Sequence, residues 1–242
     1  MAQTLMSDSL QARLEVTEER IRLACRKAGY DRTKVTLLAV TKGQSSETIS
    51  RAHHLNLNEF GENRVQELLS KNSSLAREEI FPKWHFLGHL QKNKVKDIVG
   101  TVDILHTLDS TDLVTILHKR RKYLKDQGKI LTSASPMQCF IQVNVTEENH
   151  KSGVRLNNFD QLLETARKSD ELSIVGLMVM APYDKDANKS RPLFSKIRRL
   201  AELNELPQLS MGMSQDFEIA IQEGATIIRL GTTLFGERRT VK

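Results

Sequence analysis

Cysteine is scarce in this 242-residue chain: there are two, Cys25 and Cys139, the first in a helix-like and the second in a strand-like apolar context. Two such residues do not make a disulfide framework, so a reducing compartment is expected and the cytoplasm is the favoured location. Long hydrophobic runs are also lacking. The longest, about Ile174 to Ala181, is far short of the roughly 20 residues that span a bilayer. The N-terminal stretch MAQTLMSDSLQARLE is polar with early acids, and no signal peptide, transit peptide or membrane span is expected. Without a secretory route the sequons at Asn72, Asn144 and Asn188 carry no meaning. Aromatics amount to 5% and hydrophobic residues to 39%, an ordinary globular composition that excludes fibrous and disordered classes. Internal repeats and low-complexity segments are absent.

A large excess of one charge is missing too. Lys and Arg number 36 against 30 Asp and Glu, a net charge of +6 dispersed along the chain. The densest basic run, His118 to Lys125, lies on a helical pattern whose apolar positions Leu113, Ile116, Leu117 and Leu124 face elsewhere. It reads as a solvated helix face, and no nucleic-acid partner is expected.

What is present is alternation. Apolar or β-branched runs at Val35–Thr41, Glu59–Gly61, Trp84–Gly88, Ile104–Leu108, Gln138–Val145, Ile174–Met180, Leu209–Gly212 and Thr226–Leu230 alternate with amphipathic stretches. A charged amphipathic helix, about Ser9 to Ala28, precedes them, with Leu10, Leu14, Ile21 and Leu23 among its apolar positions. Eight parallel strands with helical crossovers in this length predict an α/β fold. It is a single (β/α)8 TIM barrel over about residues 35–238, with an extra N-terminal helix, in one domain spanning 1–242. The segment Gly128–Pro136 reads as a loop entering the fifth strand, on the face opposite the active one.

In such a barrel, chemistry gathers at the C-terminal ends of the strands. Strand 1 delivers Lys42 there, behind a run of apolar residues. A desolvated lysine is a carbonyl nucleophile suited to a Schiff base; a lysine that merely ends a strand and reaches for water is the alternative. The loops after strands 7 and 8 are where barrels hold phosphate groups. They offer Ser214, placed to cap the following helix, and Gly231 with Thr232. Arg229, near the end of strand 8, would sit between lysine and phosphate site. Singly, Ser214 could be a plain N-cap, Gly231 a turn glycine and Arg229 a structural residue in a barrel layer. Together they suggest pyridoxal 5′-phosphate, which carries an aldehyde and a phosphate on one ring. An arginine against its pyridine nitrogen keeps that nitrogen unprotonated.

The motifs Leu-Leu-Ala-Val-Thr-Lys42, Phe-Gly-Glu-Asn63-Arg-Val-Gln-Glu and Trp84-His-Phe-Leu-Gly-His-Leu-Gln-Lys-Asn-Lys94 occur in that order. They are followed by Lys151-Ser-Gly153, Gly176-Leu-Met, Leu-Ser210-Met-Gly-Met-Ser214 and Ile-Arg229-Leu-Gly231-Thr232-Thr-Leu-Phe-Gly236. Along nearly its whole length the chain thereby resembles the pyridoxal 5′-phosphate homeostasis proteins, relatives of the fold-type III barrel of alanine racemase. The resemblance implies a cofactor held as a Schiff base on Lys42. It implies phosphate contacts from Ser214, Gly231 and Thr232, Arg229 at the pyridine nitrogen, and Asn63, Met211 and Gly212 lining the pocket. Lys151 would belong to a loop linked to cofactor handling. His89 stands at a variable position of its motif, and the loop before strand 5 is longer than in many relatives.

The function so implied is buffering or delivery of pyridoxal phosphate, without robust catalysis, by a monomer that serves pyridoxal-phosphate-dependent apoenzymes. An amino-acid racemase is the first alternative. It needs a second base, for which Tyr183, unlike Tyr30 and Tyr123, is placed after strand 6. A Schiff-base aldolase acting on phosphosugars is the second; it lacks an acid near Lys42, the nearest in sequence, Glu47, falling on the following helix. His53-His54 and His85 with His89 lack zinc-like companions, so no metal is expected.

Overall fold

In a computed structural model, which describes residues 9–131, 133–145 and 152–236, the alternating runs form parallel strands, each short and β-rich enough to be covered on both faces. They are β1 (Thr36–Val40), β2 (Glu59–Glu62), β3 (Lys83–Phe86), β4 (Ile104–Leu108), β5 (Met137–Asn144), β6 (Val154–Arg155), β7 (Leu172–Met178), β8 (Gln208–Ser210) and β9 (Ile227–Leu230). The order β4-β3-β2-β1-β9-β8-β7-β5, with β4 also paired to β5, closes an eight-stranded parallel barrel. The two-residue β6 lies outside the closure, on the end of β5, and was too short to be read from sequence.

Helices α1 (Leu10–Ala28), α2 (Ser46–His54), α3 (Val65–Ala76), α4 (Val95–Ile98), α5 (Thr111–Asp126), α6 (Leu156–Arg167), α7 (Arg191–Leu203), α8 (Phe217–Gln222) and α9 (Thr232–Phe235) surround the strands. Ser9 caps α1 by accepting the Ala12 N–H, and Ile21, Ala24 and Cys25 bury its inner face. Leu23, expected among its apolar positions, is 45% exposed and stands outside that face. Both cysteines are free and buried. The basic run on α5 is not wholly solvated. Arg121 is buried, donating to Ser135 O at 2.8 Å and pairing with Glu171 at 3.3 Å.

The period-2 alternation of the strands divides the apolar residues into two cores. Leu37, Ala39, Leu105, Leu177 and Ile228 face the helices, while Leu38, Ile104, Phe140, Met178 and Ile227 fill the barrel interior. Gly176 on β7 pairs with Gln208 on β8, and a Cβ there would lie 1.9 Å from Gln208 O, a backbone atom that cannot step aside. Gly176→Ala is expected to cost about 1–3 kcal/mol by overpacking, read as a lower urea midpoint at unchanged slope.

Candidate functional site

At the C-terminal ends of the strands the described residues enclose a cavity of about 240 Å³. That is somewhat below the roughly 300 Å³ at which pockets for drug-sized ligands begin, and it suits one substituted ring. Six of the eight residues expected from sequence line it: Lys42, Asn63, Ser214, Arg229, Gly231 and Thr232. Met211 and Gly212 do not. Met211 is fully buried in the helix-facing core, and Gly212 is held at φ +91° where a Cβ would meet Ala220 at 2.5 Å. The turn that Gly212 permits brings Met213 to the cavity instead. Lys151 lies outside the described residues.

Lys42 stands exposed at the cavity edge rather than desolvated. Its position is fixed from behind by a network that sequence reading missed. Lys71, on α3 and 6% exposed, donates from Nζ to Thr41 O at 2.8 Å, to Glu62 Oε1 at 2.6 Å and to Glu67 Oε1 at 2.8 Å. Glu62 also accepts from Thr41 Oγ1 at 2.6 Å, and Glu67 accepts from the Gly43 N–H. The residues on both sides of Lys42 are therefore bonded to carboxylates. This corrects the expectation that no acid lies near it: Glu62, fully buried at the end of β2, is closer in space than the sequence suggests. Burial raises the Glu62 pKa, with Lys71 and Thr41 opposing. The only local sequence signal is that Glu67 and Lys71 are four residues apart on one helix.

Ser214 is not the helix cap it was read as. Asp216 holds the N-cap position of α8 without a side-chain cap bond, while Ser214 Oγ accepts the Thr233 N–H at 3.3 Å, tying the loop after β8 to the first turn of α9. Gly231 and Thr232 open that turn, where free N–H groups favour an anion. Arg229 is buried and donates to Ser210 Oγ and to Val179 O, both at 2.8 Å. Burial pulls its pKa down to about 10, opposed by Asp216, and the guanidinium stays charged at neutral pH. Asn63 Oδ1 is a buried acceptor with no partner in the cavity wall. An amine, an orphaned amide oxygen, a hydroxyl and glycine rim, and a buried guanidinium fit a small aldehyde-bearing phosphate ester.

The chain matches the family described as alanine racemase, N-terminal domain, over residues 14–239. It is 40% identical to the pyridoxal phosphate homeostasis protein of Aquifex aeolicus, over 94% of this chain and 97% of that protein. The chain belongs to the pyridoxal phosphate homeostasis protein family. The Pseudomonas aeruginosa member is 36% identical over 90% of this chain and 91% of its own. Among solved structures, PipY of Synechococcus elongatus with PLP bound superposes with a TM-score of 0.76 at 33% identity, covering 90% of this chain and 99% of that one. Alanine racemase from Corynebacterium glutamicum shares the fold at 14% identity, with a TM-score of 0.61. The match covers 94% of this chain and 62% of the racemase. Tyr183, the one candidate for an opposed base, is 76% exposed and does not line the cavity of this family member. Among the described residues no group of three or more potential metal ligands occurs, and no helix is long and apolar enough to cross a membrane.

Proposed function

We propose that this protein binds pyridoxal 5′-phosphate reversibly through Lys42 and buffers or delivers it in the cytoplasm, acting as a monomer and without robust catalysis. The observation that carries the reading is the composition of the cavity wall. Its described lining contains two ionisable side chains, Lys42 and Arg229, and no second base to take or return a proton on the opposite face of a substrate. Lys42 would hold the cofactor by supplying the amine that takes up its aldehyde, an exchange that water reverses. Ser214, Gly231 and Thr232 hold the phosphate, Arg229 faces the pyridine nitrogen, and the unpartnered Asn63 Oδ1 receives a donor from the ligand. Similarity to PipY with PLP bound supports the same reading. The chemistry the cofactor supplies is a reactive aldehyde that apoenzyme lysines accept by the same exchange.

The deciding experiment is titration of the protein with pyridoxal phosphate, followed by gel filtration and mixing with an apoenzyme of the pyridoxal-phosphate-dependent class. A yellow protein that loses colour as apoenzyme activity appears is the expected result. A colourless protein that retains no ligand would overturn the proposal and favour a cofactor-free aldolase. Tyr183→Phe is expected to leave any residual racemisation rate unchanged; a fall of about tenfold or more, ~1.4 kcal/mol, would move the racemase reading forward.

A further inference from the structure

A barrel interior is usually closed by apolar layers, and polar groups within it cost stability unless they are bonded. Here five of them cross it in single file. Arg229 Nη1 donates to Ser210 Oγ at 2.8 Å, and Ser210 Oγ lies 2.8 Å from His106 Nδ1. His106 Nε2 lies 2.8 Å from His85 Nδ1. His85 Nε2 lies 2.9 Å from Glu59 Oε2, a contact that meets the distance but not the angle of a hydrogen bond. Phe140 stacks on the His106 ring at 4.5 Å between centroids, fixing its plane. The file starts at the cavity and ends at the first residue of β2, on the opposite rim, where the Glu59 side chain is 27% exposed.

The carboxylate end sets the direction of the ring protons, and the Ser210 hydroxyl joins them to the donating arginine. Arginine can only donate and an ionised carboxylate can only accept. With both rings neutral, the Glu59 carboxylate 2.9 Å away draws the His85 ring proton to Nε2, and Nδ1 accepts. His106 must then carry its proton on Nε2 and accept on Nδ1 from the Ser210 hydroxyl, whose lone pair takes the Arg229 proton. Burial disfavours the charged form of both rings. At His106 the His85, Arg229 and Lys83 charges add to this; at His85 Glu59 and Asp103 oppose it and Lys83 adds. These are the charged groups that bear on the pair.

We propose that Ser210, His106, His85 and Glu59 form a one-directional positioning relay that holds the Arg229 guanidinium toward the cavity and couples it to the far rim of the barrel. The proposal rests on the cofactor reading for what Arg229 faces, but the relay itself is testable without ligand. If the Glu59 acceptor is removed, the rings are free to adopt the other tautomers. His106 then donates to Ser210 Oγ, whose two lone pairs take the His106 and Arg229 protons together; the hydroxyl loses its acceptor on His106 and, no longer polarised by donating, holds the Arg229 proton more weakly. If an acceptor-only carboxylate is kept, as in Glu59→Asp, the direction is kept, whereas the amide of Glu59→Gln can turn its NH2 toward His85 while its oxygen accepts from Lys83.

Nitrogen-15 spectra of the ligand-free protein are expected to show both histidines neutral and protonated on Nε2 at pH 7. In Glu59→Leu a second tautomer should appear, and the Arg229 Nη–H protons should exchange with water about fivefold faster, the equivalent of one weakened hydrogen bond, whereas Glu59→Asp should match the parent. With pyridoxal phosphate added, Glu59→Leu should shift the pH at which the bound chromophore changes absorbance, and Glu59→Asp should not. A different tautomer in the parent, or unchanged Arg229 exchange in Glu59→Leu, would overturn the relay. Failure to bind pyridoxal phosphate at all would overturn the proposed function, while the ligand-free spectra still decide the relay.

Discussion

Lys42→Ala is expected to abolish the borohydride-stable attachment of pyridoxal phosphate and to weaken its retention by at least about a hundredfold, ~2.7 kcal/mol. Among the described residues Lys42 is the one amine in the cavity lining, so it is the group expected to form the Schiff base. Ser214, Gly231, Thr232 and Arg229 remain, and residual binding by phosphate contacts alone should be detectable at high ligand concentration. Because Lys42 is exposed, the substitution should leave folding stability within about 0.5 kcal/mol of the parent. The checks are the visible spectrum before and after reduction, mass analysis of the reduced peptide, and a thermal melt. An adduct of unchanged yield in Lys42→Ala would reject this lysine as the point of attachment.

Lys71→Met should have the largest effect on stability, about 3–5 kcal/mol at pH 7, because it leaves the buried Glu62 carboxylate without its counter-charge. Three bonds go at once: those to Thr41 O, Glu62 and Glu67. The pH dependence has a definite sign. Burial raises the Glu62 pKa above its unfolded value, and loss of Lys71 removes the chief opposing influence. Between the unfolded value of about 4.3 and the raised folded value, the native state binds more protons than the unfolded one. Stability in the variant therefore falls as pH rises through that window and recovers below it. Urea unfolding at pH 5 and at pH 7.5 should show a smaller loss at the lower pH, and the added change Glu62→Gln should restore much of it. An equal loss at both pH values would show that the buried charge is not its cause. Since Thr41 and Gly43 flank Lys42, cofactor retention should weaken alongside stability.

Much of this molecule is legible in its sequence. Strand runs such as Ile104–Leu108 were read with the bounds the structure gives, and the others fell within a few residues. The ends of β1 and β9 carried Lys42 and Arg229 to the mouth as the pattern required. The errors lay where local signals end. Ser214 has the composition and spacing of an N-cap, yet its hydroxyl is taken by Thr233 on a turn that follows the next strand. Met211 and Met213 look alike in sequence. Which one faces the cavity depends on the left-handed turn at Gly212, and that turn is set by packing against Ala220 and Phe217. Arg121 looked like one more solvated base until Glu171, 50 residues away, was found against it.

The sequence alone determined the barrel, its strand order along the chain, and the lysine, serine, arginine and glycine–threonine pair offered at its mouth. These follow from period-2 runs, helical periodicity and turn residues, all of which act over a few neighbouring positions. Only the tertiary structure decided that Lys71 braces the Lys42 turn and that Glu59, His85, His106, Ser210 and Arg229 stand in one file. His106 and Ser210 are 104 residues apart, and their contact exists because closure of the barrel fixes the stagger of strands that share no local signal.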